Sequence, residues 1–234
     1  MVHLIQLGVA SERALEFWEQ RLGDAGHTTE SGSGSLRFRD FDGLAFELIV
    51  VDGDDPALRA VHPQIPAEHA ILRVAGARAY AQSDASLSLL TDTLGFEAEP
   101  DGYGVQGERR HFHWAYDPPP DLPGRQDAGT VHHIAWASKD AEHPRWRARV
   151  VETGARVTDV IDRDYFYSIY FREPSHVLFE IATLSPGFAV DEDPAHLGET
   201  LRLPRQHEHL RPRLEQLLTP ISNPRAAQRA QTRT

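Results

Sequence analysis

The chain has 234 residues, 24 basic against 35 acidic side chains, a formal charge of −11 and no cysteine. That balance argues against nucleic acid and anionic membrane surfaces as partners, and the missing thiols exclude disulfides and thiolate metal sites. No apolar run approaches the ~18 residues that cross a bilayer, and residues 1–6 lack a cationic segment leading into an apolar one, so a cytoplasmic globular protein with a sizeable core is expected.

Taken in chain order, residues 4–9 read as a strand, and Ser11 as the N-cap of a helix carrying Leu15, Trp18 and Leu22 on one stripe. Strands at 36–39 and 44–50 follow, separated by a turn at Asp42-Gly43. A second unit opens with a strand at 69–74. Its helix over 84–94 places Leu87, Leu90 and Leu94 on one face, and Gly95 closes it. The proline-rich 118–124 stretch is a stiff connection. A third unit opens at Val131, and Pro144 fits the first turn of a helix with Trp146 and Val150 that Gly154 ends. Strands at 157–160, 168–171 and 177–182 complete it. Beyond Pro186-Gly187 the chain turns acidic, then amphipathic over 205–218, and the polar tail 219–234 is expected to be disordered.

These segments repeat one plan. Opening strands begin near residues 4, 69 and 132, a period of about sixty, and Phe46-Glu47, Phe112-His113 and Phe179-Glu180 fill the same apolar-then-polar slot in the last strands. The expected fold is α+β, built of repeated βαβββ modules whose curved mixed sheets enclose a metal cavity. The modules span 1–60, 66–120 and 129–190, followed by a helical extension over 191–218.

The chemistry concentrates in the third copy. Side chains alternate faces along a strand, so His133 shares a face with Ala135 and Ala137, and Glu180 with Leu178 and Ala182, opposite an apolar row of Val177, Phe179 and Ile181. A carboxylate in such a strand is costly to bury unless it is paired or holds a metal. One His and one Glu facing a common cavity are two-thirds of a facial triad for non-haem Fe(II), and a buried Glu–His ion pair accounts for the spacing equally well. His111 and His113 imitate a ligand pair but read as structural. Glu47 reads as an arginine partner or a solvent-facing group, and Gly32-Ser33-Gly34 as a loop lacking the Lys of a phosphate cradle.

The segments GRQDAGTVHHIA (124–135), DRDYF (162–166), SIYFREP (168–174), LFEIAT (178–183) and PGFAVD (186–191) together resemble the hydroquinone-type ring-cleaving dioxygenases of the vicinal-oxygen-chelate (glyoxalase/extradiol dioxygenase) superfamily. The resemblance runs from about residue 1 to 218. It implies Fe(II) held by His133 and Glu180, an aromatic diol and O2 as substrates, and His132, Arg163 and Tyr170 as catalytic neighbours. His132 or Tyr170 would then move a proton, Arg163 would steady negative charge, and Phe166 and Phe171 would line an apolar pocket. Members of that group have four modules, of which this chain resembles the last three, and their remaining iron ligand is a His on the first strand of the first. Within this chain His69 is the best substitute, since it is read as opening a first strand in the slot of His133; His113 and His3 are weaker. A second subunit is another source, and homodimerisation would also cover an unpaired sheet. If copies two and three pair, His69, His133 and Glu180 would meet. Two rivals stand beside this reading: a Zn(II) or Ni(II) isomerase or lyase using Glu47 with Glu180, and a truncated, non-catalytic module.

Overall fold

The computed structural model describes residues 1–51, 58–59, 62–108, 110–122, 124–127 and 129–220. The expected tail beyond 220 lies outside them.

Strand β1 (Val2–Val9) leads through the Ser11 cap, whose hydroxyl accepts from the Ala14 amide, into helix α1 (Glu12–Asp24). Strands β2 (Thr29–Gly32), β3 (Ser35–Arg39) and β4 (Ala45–Val50) then form a meander that returns to β1, with β4 and β1 parallel. Leu15, Leu22, Leu36 and Leu48 make a small core beneath the helix.

Strand β5 (Arg73–Tyr80) opens the second unit, and β6 (Glu97–Glu99), β7 (Gly102–Gln106) and β8 (His111–Asp117) complete it. The expected strand over 69–74 is displaced. Ala67–His69 forms a 3-10 turn instead, and the strand begins only at Arg73. The true strand buries Ala75, Ala77 and Ala79, a weak sequence signal because alanine has little β preference. The expected 84–94 helix is also irregular, a 3-10 turn at Asp84–Ser86 followed by a wide π turn at Leu89–Thr93. Leu90 is buried while Leu87 stays exposed, and Gly95 at φ 75° closes it as predicted.

β1 and β5 pair antiparallel, which fuses the first two units into one eight-stranded sheet of order β2-β3-β4-β1-β5-β8-β7-β6. The third unit has its own sheet, β10-β11-β12-β9, built from β9 (Ile134–Ser138), β10 (Ile161–Asp162), β11 (Tyr167–Arg172) and β12 (Leu178–Thr183), with α2 (His143–Glu152) behind it. The strand expected over 157–160 reduces to a single bridge, Val157 to Phe171. A main core joins the two sheets: Trp114 and Leu90 from the second unit meet Phe171, Phe179 and Ile181 from the third. Phe171, expected as a pocket wall, belongs to this core at 1% exposure. The result is an α+β fold of open, curved mixed sheets without a closed barrel. A 3-10 turn at Arg205–Leu210 and the short helix α3 (Arg211–Leu217) follow, and no described helix is long and apolar enough to cross a membrane.

Candidate metal centre on the four-stranded sheet

Glu180 lies in the middle of β12, opposite Tyr170 on β11 and Ala135 on β9. Its carboxylate is 3% exposed, yet fully partnered. One oxygen accepts from the Ser168 hydroxyl and from the Tyr170 phenol at 2.7 Å, and the other lies 2.7 Å from His133 Nε2. Three donors therefore replace the lost water, as a buried carboxylate requires. His133 stands immediately before β9, its other ring nitrogen 2.9 Å from Nδ1 of His132, while the His132 carbonyl accepts from Gln126. The Arg163 guanidinium carbon sits 5.2 Å from the centre of the Tyr170 ring, a cation–π distance. Burial and then the bond to Glu180 push the Tyr170 phenol up from its ordinary value, so it holds its proton.

The structure thus brings together five of the six residues singled out by sequence: His132, His133, Arg163, Tyr170 and Glu180. It does not bring in His69. That ring stacks on Phe17 of α1 with centroids 4.7 Å apart, and the His69 carbonyl accepts from the Trp18 indole, both on the helix of the other sheet. Register explains the misplacement. Glu47, His113 and Glu180 pair with Gln6, Gly76 and Ala135 respectively, so the residues two before these, Leu4, Val74 and His133, are the true equivalents. His69 is five residues out. Nor do copies two and three share a sheet, so the expected meeting of His69 with His133 and Glu180 does not occur.

The other candidates are occupied elsewhere. Glu47 is 5% exposed, bonded by Arg37 at 2.7 Å and Gln6 at 2.8 Å on the eight-stranded sheet, so it forms no pair with Glu180. His3 bonds Asp117 at 2.8 Å, and His111 and His113 both bond Glu99. Sequence reasoning missed Ser168, because a lone serine in a strand carries no distinguishing signal.

An imidazole nitrogen and a carboxylate oxygen 2.7 Å apart, above the exposed, small Ala135 and Ala137, suit a divalent cation held by nitrogen and oxygen donors. Among the described residues no three His, Asp or Glu side chains converge on one point, so His133 and Glu180 are the two candidate donors these residues supply.

The model of the Glyoxalase/Bleomycin resistance protein/Dioxygenase superfamily matches residues 72–181. MhqO of Bacillus subtilis (strain 168), provisionally named a ring-cleaving dioxygenase, is 36% identical over 234 residues, covering 92% of this chain and 73% of MhqO. A solved structure of a provisionally assigned dioxygenase from Bacillus subtilis superposes with a TM-score of 0.82 at 33% identity, covering 95% of this chain and 74% of that one. A chlorohydroquinone/hydroquinone 1,2-dioxygenase of Sphingobium indicum is 37% identical over 99 residues, 41% of this chain and 29% of that protein. With relatives so similar over most of its length, the chain belongs to the glyoxalase/bleomycin resistance protein/dioxygenase superfamily, among proteins named as ring-cleaving dioxygenases.

Proposed function

We propose that the protein is an Fe(II)-dependent ring-cleaving dioxygenase acting on a hydroquinone-like aromatic diol. The observation that carries the reading is the buried Glu180 carboxylate meeting His133 Nε2 at 2.7 Å over a floor of alanines. The relatives' names support the reaction class, and the Sphingobium indicum protein's name suggests the para-diol.

Bound by His133 and Glu180, Fe(II) would supply the electron path between diol and O2, with both oxygen atoms entering a ring-opened semialdehyde acid. The chain's own residues do the rest. The Tyr170 phenol, protonated and bonded to Glu180, stands beside the donors and returns a proton to the substrate. His132 bonds Nδ1 of His133, which would orient the ligand imidazole, and its exposed ring is the second group that would exchange a proton with the substrate. Arg163, above the Tyr170 ring, steadies negative charge that develops on the substrate. Positioned acid–base groups of this kind contribute roughly 10²–10⁴-fold. Phe166, half-buried beside Phe188, is the aromatic side chain left to bound the site once Phe171 is assigned to the core.

Anaerobic loading with Fe(II), desalting and metal analysis test this. Retained iron that disappears in both His133→Ala and Glu180→Gln, together with O2 uptake on hydroquinones, is the expected result. Iron retained equally by both variants would remove the proposed ligands.

A further inference from the structure

We infer that Arg205, carried back to the site by the segment that follows β12, is a positioning residue for the reaction: it occupies the two aspartates that flank Arg163 and so leaves the Arg163 guanidinium over the Tyr170 ring. The inference rests on the role that the dioxygenase reading gives to Arg163.

The local sequence sets the problem. Residues 163–166 join β10 to β11, and Arg163 has a carboxylate on either side, Asp162 and Asp164. An exposed arginine gains about as much from a surface carboxylate as from the face of a tyrosine, so whether the carboxylates are already taken decides between the two placements. Here both are taken. Arg205 Nε lies 2.5 Å from Asp164 Oδ1, the Arg205 amide donates to Asp164 Oδ2 at 3.2 Å, and Arg205 Nη2 lies 3.6 Å from Asp162 Oδ2. The Asp164 side chain is only 12% exposed, which spares this pairing much of the screening an open surface pair suffers. Arg163 rests instead with its guanidinium carbon 5.2 Å from the Tyr170 ring centre.

Arg205 reaches this position along a built path. The chain leaving β12 first touches the same loop at Tyr165: the Gly187 amide donates to the Tyr165 carbonyl at 2.8 Å, the Tyr165 hydroxyl donates to Asp191 at 3.1 Å, and Phe188 stacks on the Tyr165 ring. Glu192 then gathers the stretch that follows, accepting from the Thr200 hydroxyl at 3.2 Å and lying 3.4 Å from Arg202 Nε. At Arg205 the chain meets the loop again. Residues 187–205 therefore form a strap fastened at both ends to the loop that carries Arg163. The turn beneath it is fixed as well: the Asp164 amide donates to Asp162 Oδ1 at 2.8 Å, the Arg163 amide donates to the Phe166 carbonyl at 2.9 Å, and Asp164 takes a left-handed backbone, φ 65°, that aspartate tolerates better than most residues.

The test uses the full chain and two readouts. In the metal-free protein, the Arg163 Hδ protons should carry an upfield ring-current shift from Tyr170 in NMR spectra, identified by its loss in Tyr170→Leu. In the Fe(II)-loaded protein, O2 uptake on a hydroquinone gives kcat. Arg205→Ala is expected to abolish the shift and to lower kcat roughly 10–10²-fold, with iron content and thermal midpoint unchanged. Adding Asp162→Asn and Asp164→Asn removes the competing charges while keeping the amide acceptor and the left-handed turn, and is expected to restore both readouts. With an active unmodified protein, a shift and kcat that survive Arg205→Ala, or losses that the two aspartate substitutions fail to reverse, overturn the inference and leave the dioxygenase reading standing. An unmodified protein that shows the ring-current shift but takes up no O2 overturns the dioxygenase reading and the inference with it.

Discussion

At the scale of single residues, the site is governed by how a carboxylate survives at 3% exposure. Glu180 does so through Ser168, Tyr170 and His133, and each donor has a separable consequence. Tyr170→Phe removes the proton donor but neither proposed metal ligand. It is expected to lower kcat by roughly 10²–10⁴-fold with iron content unchanged, measured by O2 uptake and metal analysis on the same sample. Ser168, itself fully buried, bonds the carboxylate from within the sheet. His133 and Glu180 were legible in sequence because polar residues interrupt an apolar alternation. His69 was misread because nothing local distinguishes a histidine that opens a strand from one that ends a 3-10 turn four residues earlier.

At the scale of elements, the seam and edge of the eight-stranded sheet are held by polar clusters that make it sensitive to acid and to added volume. Arg78 on β5 bonds Asp117 on β8 at 2.7 and 2.8 Å and Asp101 at 2.7 Å, which holds the Asp117 carboxyl below its ordinary range. Burial raises the Glu99 carboxyl, but its bonds to His113 and His111 outweigh this and leave it low as well. Carboxyls depressed by folding add stability above their unfolded pKa and lose it as pH falls through the folded value. Thermal midpoints are therefore expected to fall below about pH 4, and Arg78→Ala should flatten that acid limb. Volume acts at Gly104 on β7. A Cβ there would lie 2.5 Å from His111 Nε2 and against the Glu99 carboxylate. Gly104→Ala is expected to destabilise by about 1–3 kcal/mol in denaturant melts. The strand–helix–strand punctuation at Ser11, Gly95, Pro144 and Gly154 was readable because each residue acts on its own backbone; the displaced β5 was not, because alanines carry little of the apolar signal that marks a strand.

At the scale of the whole molecule, one shared core ties the third unit to the second. Phe179 is fully buried and packs edge-on against Trp114, Trp136 and Phe171. Phe179→Ala is expected to cost about 3–5 kcal/mol, and because the core spans both sheets, circular dichroism and tryptophan fluorescence should report one coincident transition. Two separate transitions would show that the sheets fold independently. Phe179 also stands back to back with Glu180 on β12, so the packing that joins the sheets fixes the strand carrying the candidate ligand.

The sequence by itself determined the class of fold, the ends of α1 and α2, and the two polar residues, His133 and Glu180, that the structure brings together. These follow from short-range rules: alternation along a strand, caps at a helix end, and the expense of burying a carboxylate. Only the tertiary structure decided which units share a sheet, that His69 faces Phe17 rather than the site, and that Ser168 and Tyr170 complete the bonding of Glu180. Strand pairing is a choice between partners far apart in sequence, made by register and by the side chains that fill each seam, and no local pattern encodes it.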